Sequence, residues 1–143
     1  MSARADHQII LRLEGVVARP GPAGPEMRPG MGDLLREIAL WFPLWLFCER
    51  SQGEAASAAE RLSLGGFVPR TRWLFASDDL PVDAPERLVT NLMRRTGARR
   101  DQLLWVDDRP AVTSATIRAG MNAVVFVDAF SLRRNLALRG LLK

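Results

Sequence analysis

The stretch Leu103-Leu-Trp-Val-Asp107-Asp108-Arg-Pro ends an apolar run on two adjacent carboxylates, and a helical pattern over residues 111–119 follows directly. The interior of a buried strand does not accommodate two neighbouring charges. The carboxyl end of a parallel strand does, because it faces the crevice in which α/β sheets place their ligands. Two carboxylates about 4 Å apart repel each other by roughly 4 kcal/mol at an effective dielectric constant near 20. We therefore expect a positive group, either a metal ion or a side chain, to lie against Asp107 and Asp108.

Five short runs of β-type residues alternate with helical patterns along the chain. The runs occupy residues 8–13, 43–47, 71–75, 103–106 and 123–127. All are apolar on both pleat faces, which is typical of strands that helices cover on both sides. The alternation predicts an α/β fold: a three-layer, Rossmann-like sandwich with a five-stranded parallel sheet and helices on both faces.

The whole chain, residues 1–143, is predicted to form one core domain. We expect residues 1–7 to be a flexible N-terminus. Residues 18–30 hold four prolines and three glycines and predict a loop, which is too short to contain a cap domain. The last helix is predicted to begin at the N-cap Ser131 and to extend through Leu142.

Composition narrows the possible classes of function. Hydrophobic residues make up 48% of the chain and charged residues 25%, as in ordinary globular proteins. No apolar run approaches the ~20 residues that cross a bilayer. The single cysteine, Cys48, and an N-terminus without the apolar core of a signal peptide predict a cytoplasmic protein. The only lysine is Lys143, so no interior position can supply a catalytic ammonium group.

The order and spacing of these pieces resemble the haloacid dehalogenase-like (HAD) hydrolase superfamily across essentially the whole chain, in a form without a cap. Its members have a strand ending in Asp-x-Asp-Gly, a second ending in Ser or Thr, a helix-borne Lys, and a fourth strand ending in acids. The segment from Asp107 to Phe126 is close to the family's fourth motif, and residues 30–37, 43–47 and 132–142 also match. The resemblance implies that the acids hold Mg²⁺ together with a nucleophilic aspartate and a backbone carbonyl of the first loop.

The nucleophile of the family is missing from this sequence. Matching Arg12-Leu13-Glu14-Gly15-Val16 to the first motif puts Arg12 at the nucleophile position and Glu14 at the acid/base position. The reaction that the resemblance implies needs a carboxylate that attacks phosphorus and forms an acyl-phosphate. A permanently protonated guanidinium cannot do this.

The second and third motifs also depart from the family. Cys48 takes the Ser/Thr place, and Glu49 adds a negative charge where a phosphate would lie, with Ser51 as a possible substitute. A reactive Cys48 is disfavoured, because the only histidine, His7, lies at the opposite end of the first strand. The third motif maps to residues 82–85 without its lysine, and Arg87 is a weaker candidate for a phosphate ligand than for a solvated helix arginine.

We predict that Arg12 takes the place of the metal and pairs with Asp107 or Asp108, with Glu14 as a further partner. The alternative, in which Arg12 faces solvent and the acids are hydrated, stays open. No cofactor is expected. Asp108 and Asp107 are metal ligands only if Mg²⁺ is bound at all, in the case of residual hydrolase activity.

Three functions follow, in decreasing order of preference. The first is a HAD-like pseudo-hydrolase that lacks phosphatase activity and acts as a protein-binding, assembly or regulatory module, with another protein or a second copy as its partner and no membrane. The second is an active phosphatase or hydrolase that uses Glu14 or an acid of the 107–108 pair. The third is a nucleic-acid-associated module, suggested only by a pI of about 10.8, because the arginines are scattered among the helices. Trp41-Phe42 is a candidate contact patch if it is exposed, although core packing is favoured.

Overall fold

The computed structural model describes residues 6–142, and its elements alternate along the chain as predicted. Seven strands and five helices carry the fold over these residues. They are β1 (Gln8–Arg12), β2 (Ala18–Gly21), β3 (Gly24–Met27), α1 (Met31–Ala39), β4 (Leu44–Cys48), α2 (Gln52–Leu62), β5 (Trp73–Phe75), α3 (Pro85–Thr96), β6 (Leu103–Asp107), α4 (Pro110–Arg118), β7 (Asn122–Val125) and α5 (Ala129–Leu138).

Five strands form one parallel sheet in the order β5-β4-β1-β6-β7, which confirms the predicted fold. The central strand β1 pairs with β4 on one side, where Arg12 is in register with Phe47. On the other side it pairs with β6, where Leu11 is in register with Val106. Because all five strands are parallel, the carboxyl ends of β4, β1 and β6 meet at one edge of the sheet. Residues that follow these three strands are therefore brought together there.

Helices cover both faces of the sheet, and the alternation of side chains along β1 shows how. Ile9 and Leu11 belong to a core that includes apolar residues of α1, α2 and α5. Ile10 belongs to a second core on the other face. This core includes Leu88 of α3 and Ala119, which directly follows α4. The central strands β1 and β6 are thus buried on both faces, which accounts for their continuous apolar sequence.

The stretch predicted to be a loop contains an antiparallel hairpin instead. Ala18 pairs with Met27, and Pro20 lies opposite Pro25. Proline and glycine read as turn residues, yet a two-stranded hairpin has two open edges, where a residue without an N–H group is tolerated. Between β1 and the hairpin, Gly15 has φ = +88° in the turn formed by Leu13–Val17.

The predicted boundaries of the last helix are also wrong. Asp128 is the N-cap, and its carboxylate accepts a hydrogen bond from the Ser131 amide at 2.7 Å. An aspartate caps as well as a serine does, and its charge also interacts favourably with the helix dipole. The helix ends at Leu138, shortly before Gly140, whose φ is +76°.

Three further predictions concern the N-terminus, membrane-spanning segments and the exposure of the Trp41-Phe42 pair. Within the predicted flexible segment 1–7, residues 1–5 lie outside the described residues. No helix in the described part of the chain is long and apolar enough to cross a membrane. The aromatic pair divides, since Trp41 is 54% exposed and Phe42 is buried.

Candidate functional site

A cluster of charged side chains fills the crevice at the carboxyl ends of β4, β1 and β6. Arg12 ends β1, Asp107 ends β6, and Glu49 follows β4. The turn after β1 adds Glu14, and the residues after β6 add Asp108 and Arg109. Sheet topology alone brings these segments together, because β1 lies between the other two strands.

Arg12 lies at the centre of this cluster, and its guanidinium does not face solvent. Nη1 donates to the backbone carbonyl of Glu14 at 2.6 Å and to Oδ1 of Asp108 at 3.1 Å. Nε donates to Oε1 of Glu49 at 2.8 Å. The Arg12 side chain is only 15% exposed, so these bonds replace most of its hydration. Of the two acids that the sequence offered as partners, Asp108 makes the contact.

Asp107 is instead bound by its neighbour Arg109. Arg109 donates to Oδ1 from its backbone amide at 2.9 Å and from Nε at 3.0 Å, and Nη2 donates to Oδ2 at 2.9 Å. The indole Nε1 of Trp105 also donates to Oδ2, at 3.2 Å. Burial raises the pKa of Asp107, but the hydrogen bonds and charge of Arg109, with the charge of Arg12, outweigh it and lower the pKa below its ordinary value. Asp107 is therefore a fully paired, ionised carboxylate.

Glu49 joins the two arginines into one network. Its Oε1 accepts from Arg12, and Arg109 donates to both of its oxygens, with Nη1 at 3.1 Å from Oε2. Two guanidinium groups thus bind one carboxylate, an arrangement that suits the planar fork of arginine. Sequence reasoning assigned no role to Arg109 and treated Glu49 only as a repulsive charge. The available signal was the need for positive groups next to two adjacent acids, one of which Arg109 supplies from the next position in the chain.

The carboxyl group of Glu14 accepts a hydrogen bond on only one of its two oxygens. Its Oε1 accepts from the Glu49 amide at 2.7 Å, whereas Oε2 is buried and has no hydrogen-bond partner among the described residues. Burial raises the pKa of Glu14 above its ordinary value, and the opposing effects of the Glu49 amide and the Arg12 charge do not reverse this. An unpaired buried carboxylate oxygen favours the protonated acid.

Close packing fixes Asp108 against the turn after β1. A Cβ atom at Gly15 would lie 2.3 Å from Oδ2 of Asp108, which is inside any van der Waals contact. Glycine is therefore required here both for its positive φ and for the space it leaves. The turn and the acid are built as one unit.

The other residues singled out from the sequence do not join this network. Cys48 is fully buried, and burial, aided by the nearby charge of Glu14, raises the pKa of its thiol to about 12. Ser51 is the N-cap of α2, where its hydroxyl accepts from the Glu54 amide at 3.2 Å. Arg87 is exposed and donates to the Asp78 carbonyl. None of the three therefore contributes to the charged crevice as described.

The crevice does not fit the magnesium ion that the resemblance implies. Nη1 of Arg12 donates to the Glu14 carbonyl and to an Asp108 carboxylate oxygen, two groups that the resemblance offers as metal ligands. Within residues 6–142 no group of three or more His, Cys, Asp or Glu side chains could hold a metal ion. A hard divalent cation needs about six oxygen ligands, and a guanidinium repels it.

Comparison with known proteins identifies the fold through structure. No protein-family model matches the sequence, and a comparison with curated proteins finds no match. A hydrolase from Streptococcus pneumoniae is similar with a TM-score of 0.71 and 14% identity, over 93% of this chain and 99% of its own. A HAD-family enzyme from Bacteroides thetaiotaomicron, solved in complex with magnesium and inorganic phosphate, is similar with a TM-score of 0.67 and 7% identity, over 85% of this chain and 94% of its own.

A third similar structure is larger than this chain. It is a haloacid dehalogenase-like family hydrolase from Streptococcus pneumoniae, with a TM-score of 0.59 and 15% identity over 72% of this chain. The match covers 47% of that protein, so this chain spans about half of its length. At these identities the likeness establishes the fold alone. Residues 6–142 have the α/β fold of the haloacid dehalogenase-like hydrolases, without a cap domain.

Proposed function

We propose that this protein is a HAD-like pseudo-hydrolase that lacks phosphatase activity and acts as a protein-binding, assembly or regulatory module. One observation carries the proposal: Nη1 of Arg12 lies between the Glu14 carbonyl at 2.6 Å and Asp108 at 3.1 Å. The Arg12 guanidinium supplies the positive charge that a metal ion supplies in a catalytic site. A guanidinium has no coordination position for water or substrate, so it cannot replace the metal ion as a Lewis acid.

Glu49 supports the same conclusion from the side of the substrate. The HAD-family enzyme from Bacteroides thetaiotaomicron was solved with magnesium and inorganic phosphate. In this chain the Glu49 carboxylate binds Arg12 and Arg109 as an external anion would. In this proposal the Arg12 guanidinium is the counterpart of the magnesium ion, and the Glu49 carboxylate is the counterpart of the phosphate. Displacing Glu49 would leave a half-buried carboxylate without its two partners.

Three side chains at or beside the crevice, Arg12, Asp107 and Cys48, cannot serve as the missing nucleophile. Arg12 is a permanent cation. Asp107 is buried and accepts hydrogen bonds on both of its oxygens. The Cys48 thiol is buried in the apolar core, and its raised pKa keeps it protonated at neutral pH. The acyl-phosphate route therefore lacks a carboxylate at the position where the resemblance places the nucleophile.

Exposed apolar side chains at the surface support a protein partner, which is either another protein or a second copy. Leu40 follows α1 and is 74% exposed, and Phe130 in α5 is 77% exposed. The high pI is a weaker argument for a nucleic-acid partner, since several exposed arginines, such as Arg36, Arg50 and Arg133, pair with acids. We retain the cytoplasmic location as part of this proposal.

A phosphatase assay tests the proposal directly. The protein is incubated with an aryl phosphate and Mg²⁺, and we expect release of the phenol no faster than in buffer. Two variants serve as a matched pair: Asp108→Asn in the crevice and Arg134→Gln, an exposed arginine on α5. Turnover that Asp108→Asn abolishes and Arg134→Gln retains would show that the site is catalytic.

A hydrolase with unusual residues is the second candidate, and one observation favours it. Glu14 has a raised pKa, as a general acid at neutral pH requires, and its Oε2 has no hydrogen-bond partner among the described residues. The same assay with Glu14→Gln decides this case. Metal-independent turnover that is lost in Glu14→Gln would assign Glu14 the role of proton donor.

A further inference from the structure

A groove of about 530 Å³ runs between α2 and the β2–β3 hairpin, beside the charged crevice. Its volume lies within the range of about 300–1,000 Å³ that small-molecule sites occupy. Apolar or small residues form most of its lining. Those that bear on its shape are Leu13, Ala18, Pro20, Gly53, Ala55 and Ala58.

The groove exists because the side of α2 that faces the hairpin carries small side chains. A Cβ atom at Gly53 would meet no atom within 4 Å, and Ser57 is exposed at the surface of the groove. Ala55 and Ala58 are buried and form part of the main core. Space is therefore left between the two elements although both belong to the folded domain.

The hairpin limits what can occupy this groove. An extended peptide would bind by adding a strand to the hairpin, and this requires N–H donors along the free edge. Pro20 and Pro25 lie opposite each other in the hairpin and supply none. A compact ligand that fills the space with apolar surface fits better than a strand.

Arg61 gives the groove a defined charge at one end. Its Nε donates to the Pro25 carbonyl at 2.8 Å, and its guanidinium carbon lies 3.6 Å from the position of a Cβ atom on Gly24. Among the described residues Arg61 forms no ion pair, so its terminal amino groups have no carboxylate partner. Two other arginines line the groove but already have acidic partners. Arg50 pairs with Glu54 at 3.2 Å, and Arg19 lies 3.9 Å from Glu26.

We propose that this groove binds a small organic anion with an apolar body, whose carboxylate or phosphate pairs with Arg61. The apolar body lies against Ala18, Pro20 and Ala58, and the anionic group completes the unpaired arginine. A guanidinium that one bond already holds in place loses little side-chain freedom when it binds an anion. The inference is separate from the proposed function: the anion pairs with Arg61, and of the crevice residues only Glu14 also lines the groove.

Decanoate is a suitable probe, and calorimetry on the full chain measures its binding. We expect saturable binding at one site, and binding about tenfold tighter than that of the uncharged 1-decanol, since a charge-assisted hydrogen bond contributes about 1.5 kcal/mol or more. Arg61→Gln removes this preference and leaves the affinity for 1-decanol unchanged. Arg134→Gln, with the same change in charge on α5, leaves both affinities unchanged.

A second variant tests the location of the site without touching a charge. Gly53 lines the groove, and a Cβ atom there would meet no atom within 4 Å, so Gly53→Phe adds a ring at the groove without displacing a neighbour at Cβ. A thermal melt of the variant checks that it folds. We expect it to abolish the binding of both probes. The proposal is overturned if decanoate does not saturate a site on the wild type, if Gly53→Phe binds as tightly as the wild type, or if Arg61→Gln and Arg134→Gln behave alike.

Discussion

Nη1 of Arg12 and Oδ1 of Asp108 lie 3.1 Å apart although 96 positions separate the two residues in the sequence. The pair joins the end of β1 to the residue after β6, across the crevice where ligands bind in parallel sheets. Its side chains are 15% and 34% exposed, so solvent screens the acid more than the arginine. The ion pair therefore fills part of the crevice with side chains of the protein itself.

If Arg12 replaces a metal ion, then Arg12→Asp should create a metal site. The variant places three oxygen groups around one point: the new carboxylate, Asp108 and the Glu14 carbonyl. Without metal, the added negative charge beside Glu49 and Asp108 should lower the melting temperature. We expect Mg²⁺ to restore it and to bind saturably in calorimetry, whereas the wild type shows neither effect.

Arg12→Asn is the control for this experiment, because it removes the positive charge and adds no carboxylate. It should be destabilised and should respond weakly to Mg²⁺. Micromolar Mg²⁺ binding by the wild type would contradict the replacement of the metal by Arg12. So would an Arg12→Asp variant that folds and ignores Mg²⁺.

The close approach of Gly15 and Asp108 predicts a specific cost for a single methyl group. Gly15→Ala forces an L residue to φ = +88° and places Cβ 2.3 Å from Oδ2 of Asp108. Gly97→Ala is a matched control, since Gly97 also has a positive φ, of +73°, but its Cβ would meet no atom within 4 Å. We expect Gly97→Ala to lower the free energy of unfolding in urea by about 1 kcal/mol. Gly15→Ala should lower it by clearly more, and equal losses would mean that Asp108 moves aside at no cost.

Much of the fold followed from the sequence, because its signals are local. Apolar runs on both pleat faces and the acids at residues 107–108 mark buried parallel strands and the end of one of them. The hairpin at residues 18–27 was missed, since proline and glycine indicate turns more strongly than they indicate strands. Ser131 and Asp128 are both residue types that cap helices, and in the structure Asp128 is the N-cap. These errors are local ambiguities between residue types with similar preferences.

The charged network could be predicted only in part, for a different reason. The pairing of Arg12 with an acid followed from the resemblance and from electrostatic balance. The double contact of Glu49 with Arg12 and Arg109 did not, because it depends on strand order. Glu49 and Arg109 are 60 positions apart and meet only because β4 and β6 both flank β1. The sequence alone does not give the order of the strands in the sheet, so it shows which acids and arginines are present but not which of them pair.

The burial of Cys48 predicts an unreactive thiol. Burial raises the pKa of the thiol from the ordinary value of 9.0 to about 12, so the thiolate is far scarcer than for a free cysteine at the same pH. In the folded protein, labelling with a disulfide reagent should therefore proceed only as fast as the core opens. Denaturant should restore ordinary labelling. Rapid labelling of the folded chain would show that Cys48 is accessible and would reopen its role in the crevice.

Glu14 predicts a pH dependence with a sign opposite to that of most paired acids. Its folded-state pKa is raised above the ordinary value of 4.5. The folded state therefore binds the proton first as the pH falls, and the contribution of Glu14 to stability increases from neutral pH down to the unfolded-state pKa. Asp107 acts in the other direction: its folded-state pKa is lowered, so its contribution is present above the unfolded-state pKa and is lost as the pH falls through the folded-state pKa.

Comparison of Glu14→Gln with the wild type separates the two contributions, because Asp107 is present in both proteins and cancels in the difference. Urea unfolding is measured at a series of pH values from neutral to about 4, around the ordinary glutamate pKa. Relative to the wild type, Glu14→Gln should be most favourable at neutral pH, where the wild-type group is closest to fully ionised. Its advantage should shrink steadily toward acid, where Glu14 is already neutral. A difference that stays constant with pH, or grows toward acid, would mean that Glu14 is ionised in the crevice as easily as in the unfolded chain.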